Sequence, residues 1–323
     1  MNRALARLLL AAAALLAALG SAEAWVRLGD RDLRELDRLV YLQAVDLPLH
    51  QAVDDPVLHY TLRPGARTDG VGPYGPFSVS VNRHGARGSA EEPPDVMVFG
   101  ASTVYGVGVG DDETLPAALG RHLSARAGRP VRVWNFGTSA YVAAQMIRLA
   151  RQQLAVHRPA RIVIVHTNLG RRPFLAGQDP APAFQADPRH WIENLPLPDD
   201  APSWAWRLHG ALMPRSALVR FWATRALSPE PPGPEDNPIA AAIAREEAAR
   251  LTAEASAAGV AVTWVIYPNG PRPPPIPAWL AERAPLDLRT PALPPEALDL
   301  HPAPAWLDQH AATLAEALGD TAP

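Results

Sequence analysis

The chain has 323 residues, a formal net charge of −3 and no cysteine. That length allows about one or two domains, and an apolar share of 48% supplies enough core to exclude wholesale disorder. The near-neutral balance offers no basic face for nucleic acid, and the lack of thiols removes disulfides, thiolate catalysis and cysteine-ligated zinc together.

Arg3 and Arg7 precede an apolar run, Leu8–Leu19, and Gly20-Ser21-Ala22-Glu23-Ala24 then sets small residues at the spacing of a signal-peptidase site. A basic start, an apolar centre and a small-residue end predict export. Residues 1–24 are therefore read either as a signal peptide or, uncleaved, as an anchor in the cytoplasmic membrane with the rest of the chain facing outward. Length permits the second reading, although Glu23 and Arg27 interrupt the apolar stretch. Residues 25–89 form a leader. Charges interleaved with Leu and Val predict a helix over Asp30–Val45, and Leu58–Leu62 and Phe77–Val81 are short β-like runs between Gly and Pro.

From Asp95 the pattern becomes strands alternating with helices. The expected strands are Val96–Phe99, Val131–Trp134, Ile162–Val165, Val260–Ile266 and a weak fifth at Pro285–Leu288. The expected helices are Thr114–Ala127, Tyr141–His157, Ile239–Ala258, which opens after Pro238 and stops at Gly259, and Ala305–Leu318. Proline clusters at Pro229–Pro238, Pro268–Pro277 and Pro291–Pro295 mark loops. Residues 174–237 interrupt the alternation as an insertion of helices and loops. Its Trp191, Trp204, Trp206 and Trp222 are expected to pack the insertion itself; the other reading makes them a carbohydrate or partner surface. Alternation of this kind predicts an α/β domain over residues 90–323, with a parallel sheet covered on both faces. Its ligand site belongs at the carboxyl ends of the strands.

The residues just after those ends carry the chemistry. Gly100-Ala101-Ser102-Thr103 follows the first strand, and a Ser on a tight strand-to-helix turn can expose its hydroxyl while its own N–H points at a bound oxyanion. Asn135-Phe136-Gly137-Thr138-Ser139-Ala140-Tyr141 follows the second and offers backbone N–H groups at a helix start. Thr167-Asn168-Leu169-Gly170 follows the third and brings a side-chain amide. Asp299-Leu300-His301-Pro302 precedes the last helix, where a His can take a Ser proton and return it to a leaving group. Taken singly, each is more often a cap, a turn or a structural residue. His166, inside the third strand, is read as structural. Gly106–Gly110 is no P-loop, because no Lys-Ser/Thr follows it.

The ordered set resembles the SGNH/GDSL hydrolases, in particular bacterial envelope members with an amino-terminal export segment. The likeness runs through Gly100-Ala101-Ser102-Thr103, Gly106-Val107-Gly108-Val109, Asp112-Glu113-Thr114, Asn135-Phe136-Gly137 with Tyr141 and Gln145, Thr167-Asn168 and His301-Pro302. It extends into the leader at Tyr60-Thr61-Leu62-Arg63-Pro64-Gly65 and Val81-Asn82-Arg83-His84-Gly85-Ala86-Arg87-Gly88.

What the resemblance implies is a three-layer α/β/α sandwich with a flavodoxin-like parallel sheet of about five strands. It implies an esterase or deacetylase acting on a small acyl ester of an envelope sugar or lipid. Ser102 would be the nucleophile, His301 the base and Asp299 its orienting acid. The oxyanion would be held by Ser102, Ala140 and Asn168, with no metal or organic cofactor. Three positions depart from the family: Ala101 stands where Asp is common, Ala140 where Gly is usual, and Leu298 where the orienting Asp usually lies. Two other readings stay open. One is an O-acyltransferase working on an envelope glycan with the same residues; the other is a non-catalytic binding protein that keeps the fold.

Overall fold

The structure is a computed structural model that describes residues 3–29, 31, 49–55, 57–58, 60–139, 141–167, 203–212, 215–226, 238–268, 276–289 and 301–319. In chain order the elements are α1 (Arg3–Leu28), β1 (His50–Ala52), β2 (Tyr60–Leu62), β3 (Arg67–Gly72), β4 (Gly75–Ser80), β5 (Val96–Gly100), α2 (Ser102–Tyr105), α3 (Leu115–Ala127), β6 (Val133–Asn135), α4 (Ala143–Val156), β7 (Arg161–His166), α5 (Ser203–Leu212), α6 (Ala217–Ala226), α7 (Pro238–Ala257), β8 (Ala261–Ile266), α8 (Ala278–Ala281), β9 (Leu286–Asp287) and α9 (Pro304–Leu318). Two units separate: Met1–Gln43 with Ala181–Glu230, and Ala44–Pro180 with Pro231–Pro323.

The larger unit is built on a five-stranded sheet in the order β6-β5-β7-β8-β9. Every neighbouring pair in it is parallel. Because helices cover both faces, the central strands are apolar without alternation: all five residues of β5 are buried, as are Ile162–His166 of β7. Val96, Val98, Val163, Val165 and Val265 face one side, in one cluster with Leu115, Leu119 and Leu123 of α3 and Leu307, Leu314 and Leu318 of α9. Met97, Phe99, Ile162 and Ile164 are equally buried, and α4 and α7 pack on each other and against the sheet. Each fully buried Leu or Val of this kind contributes about 1.5–3 kcal/mol. The result is the expected three-layer α/β/α sandwich.

Local signals set the helix ends. The Thr114 hydroxyl accepts from the Ala117 N–H at 3.3 Å, Pro116 sits in the first turn, and Gly128 closes α3 at φ +65°. Strand β6 starts at Val133 rather than Val131 and runs through Asn135, which pairs with Val98. The fifth strand is as short as its sequence is weak: Leu286 and Asp287 pair with Val265 and Ile266. In the leader, β1 pairs with β2 and β3 with β4, both antiparallel. The helix expected over Asp30–Val45 lies outside the described residues except at Arg31, which is helical.

The smaller unit contains α1, α5 and α6. α1 has 26 residues and is long and apolar enough to cross a membrane. Its last turns pack on α6. Ser216 caps α6, its Oγ accepting from the Val219 N–H at 3.2 Å. The Glu23 carboxylate accepts from Ser216 Oγ at 2.7 Å and from the N–H groups of Ala217 and Leu218 at 2.9 Å, so α1 satisfies the remaining first-turn donors of α6. Val26 is buried with Ala217 and Phe221, and Trp25 meets Phe221 edge to face at 6.0 Å. The expectation that the tryptophans pack the insertion does not hold for Trp204 and Trp222, which are 63% and 61% exposed.

Candidate active site

The sheet order places the first strand, β5, between the second and the third, so the order in which strands are added reverses at β5 while all of them stay parallel. In an open parallel sheet that reversal opens a crevice at the carboxyl ends of the two strands concerned. Ser102 stands there, two residues past the end of β5. The turn is tight: a Cβ on Gly100 would lie 2.2 Å from Val104 Cγ2 and 3.2 Å from the Val165 carbonyl oxygen. Ala101 occupies the N-cap of α2 and makes no side-chain cap bond, and Gly106 ends the helix at φ +86°. Ser102 is thus the first helical residue and not the cap, which removes the commonest structural role for a Ser at a strand end. From Val96 to Gly106 it is the one residue that is not buried. Among the described residues its hydroxyl has no hydrogen-bond partner.

The segment after β6 cradles α2. Asn135 is buried; its Nδ2 donates to the Val104 carbonyl at 2.9 Å, and its Oδ1 accepts from the Gly137 N–H at 2.8 Å. Phe136 N–H and Thr138 N–H donate to the carbonyls of Val98 and Gly100 at 2.8 and 3.0 Å. The N–H groups of residues 136–138 are therefore spent on holding the turn and are not free to meet an oxyanion. Ala140 lies outside the described residues. Its neighbours are fixed by the leader: Tyr60 Oη donates to the Ser139 carbonyl at 2.7 Å, and Tyr141 Oη donates to the Tyr60 carbonyl. Gln145 Nε2 donates to the Leu58 carbonyl at 2.8 Å.

At the end of β7, His166 is buried, and among the described residues neither ring nitrogen has a hydrogen-bond partner. It meets Trp279 edge to face at 5.8 Å. Desolvation alone pushes its imidazole down to about 4. These facts fit a neutral, packed ring. Asn168, the candidate amide donor, lies outside the described residues, as do Leu298 and Asp299.

His301 is described, three residues before α9. Burial pushes its imidazole down to about 4, so the ring is neutral and able to accept a proton throughout the neutral range. Its carbonyl accepts from Tyr74 Oη at 2.9 Å. A second histidine on this side of the sheet went unnoticed in the sequence. His310 on α9 is buried, with Nδ1 2.7 Å from Tyr267 Oη. Burial raises the Tyr267 phenol well above its ordinary value and lowers the His310 imidazole. The pair is a buried structural contact, whereas His301 is only partly covered.

Sequence reasoning also missed Arg87. Its guanidinium is buried and donates to the carbonyls of Tyr105, Gly106 and Val109 and, at 2.9 Å, to Asp111 Oδ1. It stacks over the Tyr105 ring at 4.7 Å. It thereby pins the loop that follows Ser102. The one signal was its place in the Val81–Gly88 run, since backbone carbonyls leave no trace in residue type. Among the described residues no group of three or more His, Asp or Glu side chains could hold a metal ion.

No family model matches the chain, and no curated protein matches it. Among solved structures it is similar to TesA, at 16% identity and a TM-score of 0.40, over 69% of this chain and 97% of that one. It is also similar to a protein described as lipolytic, of the G-D-S-L family, from Desulfitobacterium hafniense DCB-2, at 11% identity and a TM-score of 0.37, over 68% of this chain and 97% of that one.

Proposed function

We propose that the chain is an exported serine esterase or deacetylase of the SGNH/GDSL kind, acting on a small acyl ester. The observation that carries this reading is Ser102: a half-buried residue at the reversal of strand order, on a turn otherwise buried, whose hydroxyl has no hydrogen-bond partner among the described residues. In the reaction, Ser102 Oγ attacks the ester carbonyl and its proton passes to the neutral His301 ring. The tetrahedral oxyanion is met by the Ser102 N–H, the Ala140 N–H and the Asn168 amide, each such donor worth on the order of a hundred-fold in rate. The C–O bond to the leaving alcohol breaks as His301 returns the proton to that oxygen. Water, deprotonated by His301, then cleaves the acyl-enzyme and restores Ser102. Asp299 holds the His301 tautomer.

The test is labelling of the full chain with a fluorophosphonate and mapping of the adduct. Modification at Ser102, lost in Ser102→Ala, is expected. A folded protein that stays unlabelled would refute the reading and favour the binding-protein alternative. Asp299→Asn should cut turnover of a short-chain nitrophenyl ester severely; an unchanged rate removes Asp299 from the site. Transfer of the acyl group to an added glycan in place of release as free acid would identify the acyltransferase.

We further propose that α1 is retained as a membrane anchor. Cleavage after Ala24 would remove Glu23, and with it the three hydrogen bonds that tie α1 to Ser216 and the first turn of α6.

A further inference from the structure

The β3–β4 hairpin has no core of its own. Its strands alternate between exposed and half-buried along nearly their whole length, and Val71 near the tip is 84% exposed. A two-stranded ribbon of this kind is marginal alone in water, so its position depends on what it is tied to. At the base, Ser80 N–H and Oγ both donate to Asp111 Oδ2, at 2.9 and 2.6 Å. The other oxygen of Asp111 accepts from Arg87, which holds the loop after Ser102. Val79 and Phe77 pack in a cluster with Tyr105, the last residue of α2. At the tip, Gly72 lies against Gly108 so closely that a Cβ would come within 2.6 Å of the Gly108 carbonyl oxygen. The hairpin is therefore fixed to the Ser102 loop at both ends.

From that fixed ribbon one bond leaves in another direction. Tyr74, in the turn between β3 and β4, donates its hydroxyl to the His301 carbonyl at 2.9 Å. Among the described residues this is the one hydrogen bond that His301 makes. The next helix offers no substitute, since its N-cap, Ala303, makes no side-chain cap bond. Tyr74 itself is 44% exposed, so core packing does not account for it.

We propose that Tyr74 is a positioning residue: through it, the leader hairpin braces the segment carrying His301 against the loop carrying Ser102. The inference rests on the Ser102–His301 reading. The brace sets the place of the His301 peptide and makes no contact with substrate.

The experiment uses the full chain with Tyr74→Phe, which deletes the hydroxyl and keeps the ring. One neutral, partly exposed hydrogen bond is worth about three- to tenfold. We expect kcat on a nitrophenyl ester to fall by about that factor with KM unchanged, and Ser102 labelling by a fluorophosphonate to slow in parallel. The melting midpoint should hold. Amide hydrogen exchange at residues 301–307 should quicken. Val71→Ala, on the same hairpin, should leave all four readouts as they are. Unchanged exchange in Tyr74→Phe overturns the brace, whatever the kinetics. Faster exchange with unchanged kcat overturns the positioning role while leaving Ser102 as nucleophile. A wild-type chain that never labels at Ser102 overturns the catalytic reading, and the positioning role with it, even where exchange shows the tether to exist.

Discussion

Gly137→Ala tests whether the place of α2 sets the reactivity of Ser102. A Cβ at Gly137 would stand 2.2 Å from Tyr105 N, 2.5 Å from the Val104 carbonyl carbon and 2.7 Å from Tyr105 Cα. An ordinary carbon contact needs about 3.5 Å, so something must move by about 1 Å. The obstructing atoms are backbone, and no rotamer can relieve them. Either α2 shifts, or residues 136–138 shift and stretch the bonds from Asn135 to Val104 and from Thr138 to Gly100. Overpacking costs about 1–3 kcal/mol, and a contact with backbone belongs at the upper end. Gly137 is not among the positive-φ residues, so the cost comes from close approach alone. If α2 moves, Ser102 moves with it, and a misplacement of about 1 Å costs on the order of a hundred-fold in rate. Urea unfolding gives the stability change from the midpoint at constant m, and kcat/KM on a nitrophenyl ester gives the rate. Unchanged stability would refute the steric argument. Lost stability with full activity would refute the link between α2 and reactivity.

Gly120→Ala should act in the opposite sense: it sits inside α3, its added Cβ would meet Val133 Cγ2 at 3.4 Å, an ordinary contact, and the urea-derived stability should rise by about 0.5–1 kcal/mol. His166 predicts a pH effect. An unfolded His protonates near 6.5, while the folded ring resists until about 4. Stability is therefore fully present above pH 6.5 and falls as pH drops through that window, by up to about 3 kcal/mol from this residue. The wild-type-minus-His166→Phe stability difference should therefore fall as pH drops through that window, and a difference that stays constant in urea unfolding from pH 7 to 4.5 would remove the effect. The acid limb of kcat/KM should lie near pH 4 for the same reason at His301, and a limb near 6.5 would show that ring to be solvated. Mass spectrometry of the membrane fraction should find Met1 intact, and Glu23→Ala should loosen the α6 amides in hydrogen exchange; a mature terminus at Trp25 would refute the anchor.

The central sheet was legible because a strand buried on both faces leaves a continuous apolar run, as in Val96–Gly100 and Arg161–His166. β6 was displaced because its last residue, Asn135, is polar: the apolar pattern stops where the side chain turns to hold α2. Phe77–Val81 reads as β from its sequence, but its partner Arg67–Gly72 does not, since Val71 is its one large apolar residue and no apolar alternation shows. Ser102 and His301 stand out as candidates from their order along the chain. Arg87 and Tyr74 do not, because both act on carbonyl oxygens, and any residue type provides those. The segment after Asn135 was expected to offer N–H groups to an oxyanion, and folding spends those of residues 136–138 internally.

Arg87 has a consequence for where the sheet domain begins. Its partners, Tyr105 to Asp111, lie a score or so of residues downstream, inside the sheet domain. A chain begun at Asp95 would keep every strand of the sheet and still leave three carbonyls and a carboxylate around an empty place beside Ser102. The leader is thus no detachable prefix. It and the sheet form one heritable piece, and a graft of either onto another protein should fail without the other.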